Sequence, residues 1–195
     1  MNKRNIMVGF LGVVLLSNVF VGCSNNKISQ DSMGETNYYS VSIDGDKFYY
    51  SAEDENVVEI SKNASEFITV AVKKDYTNPE VMKEYDYYTK EVKEAYLSDG
   101  RPEIALESLQ NYQLKVEVNE VTLQKIEFYT LNGQKTASVT IDYISTITNS
   151  TPEYLESLAI QANTKYKRTM TIVMVHEEEL WKVSTYSLTA REEVQ

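Results

Sequence analysis

Leu131-Asn132-Gly133-Gln134-Lys135-Thr136-Ala137-Ser138-Val139-Thr140-Ile141-Asp142-Tyr143 is the stretch whose reading decides the fold class. Asn132-Gly133 is a dipeptide that accepts positive φ at both positions, the requirement of a tight β-hairpin turn. Beyond it Ala137, Val139, Ile141 and Tyr143 alternate with Ser138, Thr140 and Asp142. Alternation with period two puts one set on a buried face and the other towards solvent. Before the turn, Ile126, Phe128 and Leu131 mark the partner strand, which starts near Leu114 with Val116 and Val118 between charged neighbours. The phase slips at Asn119-Glu120, which predicts a bulge or sharp bend. A long, bent hairpin is therefore the centre of the expected sheet.

Working outward, Thr151-Pro152-Glu153 predicts a short helical insertion carrying Tyr154, Leu155, Leu158 and Ile160. Met170–Val175 and Leu180–Leu188 read as a last hairpin turning at Glu177-Glu178-Glu179. Towards the N-terminus, three helices are predicted. Asn63 with Glu66 forms a capping-box pattern for a first helix over about Ala64–Lys74, with Phe67, Ile68 and Ala71 at helical spacing. Asn78-Pro79-Glu80 is a start signal for a second, and Val81, Tyr85, Tyr88, Val92 and Ala95 form its apolar stripe. Asp99-Gly100 closes it, and Arg101-Pro102-Glu103 opens a third through Ile104, Leu106 and Leu109. Ahead of all of these, Tyr38–Val58 contains Val41 and Ile43 alternating with Ser40 and Ser42, then Asp44-Gly45, then Lys47-Phe48-Tyr49-Tyr50, a β-hairpin.

Helices followed by a strongly curved antiparallel sheet, with the helices free to cover one face, define an α+β domain. With His176-Glu177-Glu178-Glu179-Leu180-Trp181-Lys182-Val183 as an acidic turn leading into a closing Trp-Lys-Val strand, the chain resembles the NTF2-like (cystatin-like cone) superfamily from about Asn63 to Leu188. That resemblance implies helices packed into the concave side of a bent sheet. It also implies two lines of work for such a domain, binding in envelope assemblies or chemistry inside the cone.

Residues 1–22 read as a signal peptide, with Lys3 and Arg4, an apolar run from Ile6 to Leu16, then Phe20-Val21-Gly22-Cys23. The segment resembles a bacterial lipoprotein signal, with Phe20 where Leu is usual and Cys23, the sole cysteine, at the acceptor position for diacylglyceryl and palmitoyl chains. The run is short of the about 20 apolar residues that span a bilayer. Residues 23–37, polar and without period, read as an acylated flexible tether. The expected organisation is then a β-hairpin extension at 38–60, an NTF2-like domain at 61–190 and a tail at 191–195. Two acyl chains at about 0.8 kcal/mol per buried methylene hold a protein durably, where one is marginal. The expected location is the extracytoplasmic face of the cell membrane.

Charge narrows the function classes. Of 19 basic and 29 acidic residues, cleavage removes only Lys3 and Arg4, so the mature chain is strongly acidic. That sign argues against nucleic acid and against electrostatic docking on anionic lipid. With no cysteine after Cys23 and a lone histidine, a disulfide or a Cys/His zinc site has no ligands to use, and no cofactor is expected. Neither Asp44-Gly45-Asp46 nor Ser51–Asn56 has the ligand spacing of a calcium loop. If the domain is an enzyme, its candidates are Asp142 and His176, since burial can lift a carboxylate towards neutrality. Against them, Asp142 falls on the polar side of its strand and His176 abuts a turn.

Fifteen tyrosines are the remaining signal. Tyr85, Tyr88 and Tyr143 are expected in the core. Tyr38, Tyr39, Tyr49 and Tyr50 cluster on the hairpin, and consecutive pairs must point to opposite faces, so half face outward unless something covers them. They are the expected interaction surface. The functional expectation is a non-catalytic binding or scaffold module with an envelope protein as partner. The alternative is a receptor for a small apolar ligand, or an enzyme using Asp142 or His176. A cone filled by Phe67, Tyr85, Tyr88 and Trp181 would count against both alternatives.

Overall fold

The computed structural model describes residues 37–194, so the signal segment and Cys23 lie outside the described residues. The described residues build an α+β fold of an eight-stranded sheet and four α-helices. Its strands are β1 (Tyr38–Val41), β2 (Lys47–Tyr49), β3 (Lys74–Asp75), β4 (Lys115–Leu131), β5 (Gln134–Asn149), β6 (Lys165–Glu177), β7 (Leu180–Leu188) and β8 (Glu192–Glu193). The main path runs β2-β1-β4-β5-β6-β7, with β3 on β4 and β8 on β6.

The Asn132-Gly133 turn forms as the residues dictate, with φ of 52° and 79°. It joins β4 and β5 into the long hairpin at the sheet's centre. Register shifts fall between Val118 and Glu120, where the phase slips in the sequence, and again between Leu123 and Lys125. Each extra residue kinks the strand and increases its twist. One expectation is corrected: the sheet is mixed rather than antiparallel, because β1 pairs in parallel with β4 through Tyr38↔Ile126 and Ser40↔Phe128. The N-terminal hairpin thus folds back on the domain's own sheet.

Helix α1 (Glu55–Val72) starts nine residues before the expected Ala64 and occupies part of the segment read as hairpin. Its β-branched opening, with Val57, Val58 and Ile60, imitates a strand. Asp54 overrides that by accepting hydrogen bonds at Oδ1 from the amides of Asn56 (2.9 Å) and Val57 (3.4 Å). Val57, Ile60, Ala64, Phe67 and Ile68 then fall on one buried face against the sheet. Asn63 is not a cap; its Nδ2 donates to the carbonyl of Trp181 at 3.2 Å. Replacing Asp54 with Ala is expected to cost about 1 kcal/mol, as loss of a helix N-cap does. Urea unfolding checks this, and no change in midpoint would put the helix start elsewhere.

The second helix is also corrected. Pro79 leads only to a 3-10 turn at Lys83–Asp86, and α2 (Lys90–Ser98) begins after Thr89, whose Oγ1 accepts from the amide of Val92 at 3.4 Å. Pairing with the sheet wins over helix propensity in between. The amide of Thr89 donates to the carbonyl of Val183 (2.9 Å) and the amide of Val183 to that of Tyr87 (2.7 Å), so Tyr87–Thr89 caps the edge of β7. Tyr85 and Tyr88 are buried nonetheless, while Ala95 is exposed and Tyr96 takes the inward position beside them. Helix α3 (Arg101–Asn111) and the insertion α4 (Pro152–Leu158) form at their Pro signals.

Candidate interaction surface

The main apolar cluster lies on the face of the sheet that α1 covers, and Phe67, Tyr85, Tyr88 and Trp181 are all in it. Phe67 has Tyr88 and Tyr186 edge-on at ring-centroid distances of 5.4 and 5.6 Å. Tyr85, Tyr88 and Tyr96 close the same aromatic group. Trp181 is 2 % exposed and lies 6.0 Å from Phe128. Its Nε1 donates to Asn56 Oδ1 (3.2 Å) and its amide to Glu59 Oε1 (3.0 Å), so one polar edge of α1, Asn56-Glu59-Asn63, grips the start of β7. Burial pushes the Tyr88 hydroxyl far above its ordinary range, so it is neutral at any working pH.

Hollows lined by described residues lie outside this core. One, of about 520 Å³, runs along α4 past Leu155 and Ile160. Another, about 190 Å³, contains Asp142 and Lys167. The second is below the about 300–1,000 Å³ of ordinary ligand sites.

Asp142 sits on the sheet face away from α1, beside Thr122 and Thr169 across the strands. Partial burial pushes its carboxyl up, but hydrogen bonds from Lys167 (2.8 Å) and Thr169 Oγ1 (2.7 Å) outweigh that and hold it below the usual carboxylate range. A base for work near neutrality needs the opposite shift. The depressed value has a measurable consequence. A carboxylate whose folded-state pKa lies below the unfolded value of about 3.9 stabilises fully above that value and loses its contribution as pH falls through the folded pKa. The stability gap between wild type and Asp142→Asn should therefore be constant near neutrality and close below about pH 4. A gap independent of pH in urea unfolding would contradict the ion pair.

His176 stands at the end of β6 with its ring edge-on to Trp181, centroids 5.3 Å apart. Among the described residues, no group of three or more His, Cys, Asp or Glu could hold a metal ion. Asp142 and His176 are not brought together, nor is either set in the aromatic core.

The four hairpin tyrosines divide between two faces, as their order requires. Tyr38 and Tyr50 pack against the core, with the Tyr50 ring 4.7 Å from Phe128 and its hydroxyl 3.2 Å from Ser40 Oγ. Tyr39 and Tyr49 are cross-strand partners on the opposite face, 6.4 Å apart. Lys47 places its Nζ 4.6 Å over the Tyr39 ring, and the Tyr39 hydroxyl donates to Glu127 Oε2 at 3.3 Å. The outer surface is thus an aromatic pair flanked by a cation and a carboxylate. Lys47 was legible as a member, since it lies two residues from Tyr49 on the same face; Glu127 was not, because it arrives through the parallel β1–β4 pairing.

Sheet, helices and this surface define an α+β domain with an open mixed sheet. No family model matches the chain, and no curated protein matches it. Among solved structures it is similar to the periplasmic domain of DotI, at TM-score 0.48 and 13% identity over 70% of this chain and 96% of that one. It is also similar to a periplasmic fragment of TraM, at TM-score 0.45 and 10% identity over 68% and 96%. A third is an IcmL-like type IV secretion system protein from Legionella pneumophila subsp. pneumophila str. Philadelphia 1, at TM-score 0.40 and 16% identity over 74% and 94%. Likeness at these values concerns the layout of strands and helices and says nothing of what this chain binds. Among the described residues, no helix is long and apolar enough to cross a membrane.

Proposed function

We propose that this protein is a lipid-anchored, extracytoplasmic binding module of the cell envelope, with an NTF2-like α+β domain held on the membrane through acylated Cys23. The observation that supports the reading is the packed interior: Phe67, Tyr85, Tyr88 and Trp181 are all buried in one core cluster, the arrangement expected to count against a ligand-holding or catalytic cone. Work is then left to the surface. Tyr39 and Tyr49, with Lys47 and Glu127, supply rigid aromatic area beside paired charge, a composition that suits protein partners. The acidic chain is repelled by anionic lipid heads, so the anchor, not the domain, supplies membrane affinity.

Both halves of the proposal can be tested in the same cells. Cys23→Ala should release the protein to the soluble fraction or leave unprocessed precursor, with lipid labelling abolished; unchanged processing and labelling would refute the anchor. Crosslinking in native membranes should give a specific protein adduct that Tyr39→Ser with Tyr49→Ser removes. The same adduct persisting in that double variant would move the binding surface off the hairpin.

A further inference from the structure

Strand β4 has β5 along one edge from end to end, whereas its other edge is only partly paired. β3 covers that second edge at Lys115 and Val116, and β1 takes it up again at Ile126. Between them residues 117–125 have no partner strand, about 30 Å of edge at about 3.3 Å per residue. Among the described residues no loop amide or carbonyl fills the gap either. The first bond beyond it is the one the Ile126 amide donates to the Asn37 carbonyl, at 2.8 Å. The amides and carbonyls of this stretch that point away from β5 are thus without backbone partners, the template to which an added strand bonds.

Its shape restricts what can be added. Bulges between Val118 and Glu120 and between Leu123 and Lys125 bend the edge, and β3 and β1 close its two ends. A long strand of another folded sheet, a second copy of this one included, collides with those ends. A short extended segment fits between them.

The two sides of the gap differ in chemistry. On the core side Val118, Val121 and Leu123 are half-buried, the last two packed against the main cluster. On the other side Glu117 and Glu120 are exposed. The nearby lysines already have partners: Lys115 pairs with Asp75 (3.2 Å), Lys125 with Glu127 (3.8 Å) and Lys167 with Asp142 (2.8 Å). Lys167 also feels the Glu120 charge, but its direct partner is Asp142. Lys165 stands two strands from Glu117, about 10 Å away and beyond ion-pair reach. Glu117 and Glu120 are the uncompensated charge at the gap.

Alternation then dictates the occupant: apolar residues onto Val118, Val121 and Leu123, and lysine or arginine beside Glu117 and Glu120. The chain's own residues before Asn37 have the wrong sequence for this. Tyr38 faces the core, so the same alternation would turn Ser32, Gly34 and Thr36 to the apolar side and set Asp31 and Glu35 beside the glutamates.

We propose that the gap between β1 and β3 is a strand-addition site, and that its occupant is an extended segment of a partner protein in which apolar residues alternate with lysine or arginine. Main-chain hydrogen bonds to β4 supply the affinity, and the two sides of the gap supply the selectivity. The inference rests on the reading of the protein as a binding module and names the form of its partner, but it depends on neither the anchor nor the tyrosines.

The test titrates the full chain, purified from its host in neutral detergent, with a synthetic peptide of alternating valine and lysine about seven residues long. Hydrogen exchange is followed along β4. The comparison peptides have the valines consecutive, glutamate in place of lysine, or N-methylated amides. The alternating peptide is expected to bind and to slow exchange within residues 117–125. Both effects should weaken about tenfold or more with the N-methylated and the glutamate peptides. Glu117→Lys with Glu120→Lys should reverse the preference, so that the glutamate peptide now binds better, with Tm changed by less than about 2 °C. Tyr39→Ser with Tyr49→Ser should leave the titration unchanged.

Equal affinity for the N-methylated or consecutive-valine peptide would overturn the proposal, as would an unchanged charge preference in the double lysine variant. No binding at millimolar peptide would overturn it too. So would slow exchange, in the chain alone, at the amides that point away from β5, because the edge would then be occupied already. Failure of the peptide while the Tyr39/Tyr49-dependent adduct still forms in membranes would remove this site and leave the primary reading standing. Peptide binding without that adduct would remove the tyrosine surface and leave this site.

Discussion

Trp181→Ala is expected to cost about 3 to 5 kcal/mol of folding stability, the range for deleting a buried aromatic from a close-packed core. The indole is fully enclosed between Phe128 and His176, so truncation leaves a cavity that its neighbours can only partly fill. It also strands Asn56 Oδ1, which accepts from Nε1 at 3.2 Å. The bond that the Trp181 amide donates to Glu59 and the one its carbonyl accepts from Asn63 survive the substitution, which keeps the loss from growing further. Trp181→Phe isolates the polar part: most of the apolar area remains and the expected cost falls to about 1–2 kcal/mol. Urea unfolding with unchanged m-values measures both. A loss below about 1 kcal/mol for the alanine variant would mean that the start of β7 is not where α1 grips it.

Phe67→Ala is expected to cost a similar about 3 to 5 kcal/mol and to do something Trp181→Ala does not. Phe67 is at the centre of the aromatic group, against Tyr87, Tyr88 and Tyr186. Removing its ring opens a cavity lined by apolar atoms, and a dry apolar cavity of that size takes up benzene-sized molecules. The variant should therefore gain thermal stability on addition of benzene, by the mass-action coupling of binding to folding, while wild type should not. Stabilisation of both to the same degree would show that the interior already holds free space.

The hairpin at the centre of the sheet was legible because its turn chemistry, alternation and phase slip all agree. Asn132-Gly133 gave the turn, and Asn119-Glu120 marked the bend. The start of α1 was not, because Val57, Val58 and Ile60 favour a strand locally and only the cap at Asp54 and packing on the sheet reverse that preference. The stripe through Val81, Tyr85 and Tyr88 correctly named two core tyrosines and misread their backbone. Residues 87–89 are drawn out of helix by hydrogen bonds to Val183, a partner about a hundred positions away that no local pattern announces. The same limit hid the parallel β1–β4 pairing, and with it Glu127 in the surface around Tyr39. For that surface, the two-residue period split Tyr38 from Tyr39 and Tyr49 from Tyr50 but did not say which pair is outward: the alternation of Val41 and Ile43 with Ser40 and Ser42 favours Tyr39 inward, and only the packing of Tyr38 and Tyr50 on the core reverses it.

The central claim is that the interior is filled and that function lies on the outside. The most direct measurement is a calorimetric titration of the wild-type chain with a series of small apolar molecules, from benzene to a fatty acid, alongside Phe67→Ala. No saturable binding to wild type, with benzene binding restored in the variant, is the expected result. Stoichiometric binding of any of them to wild type, abolished by enlarging a core residue such as Ala64→Leu, would contradict the claim and make the domain a receptor.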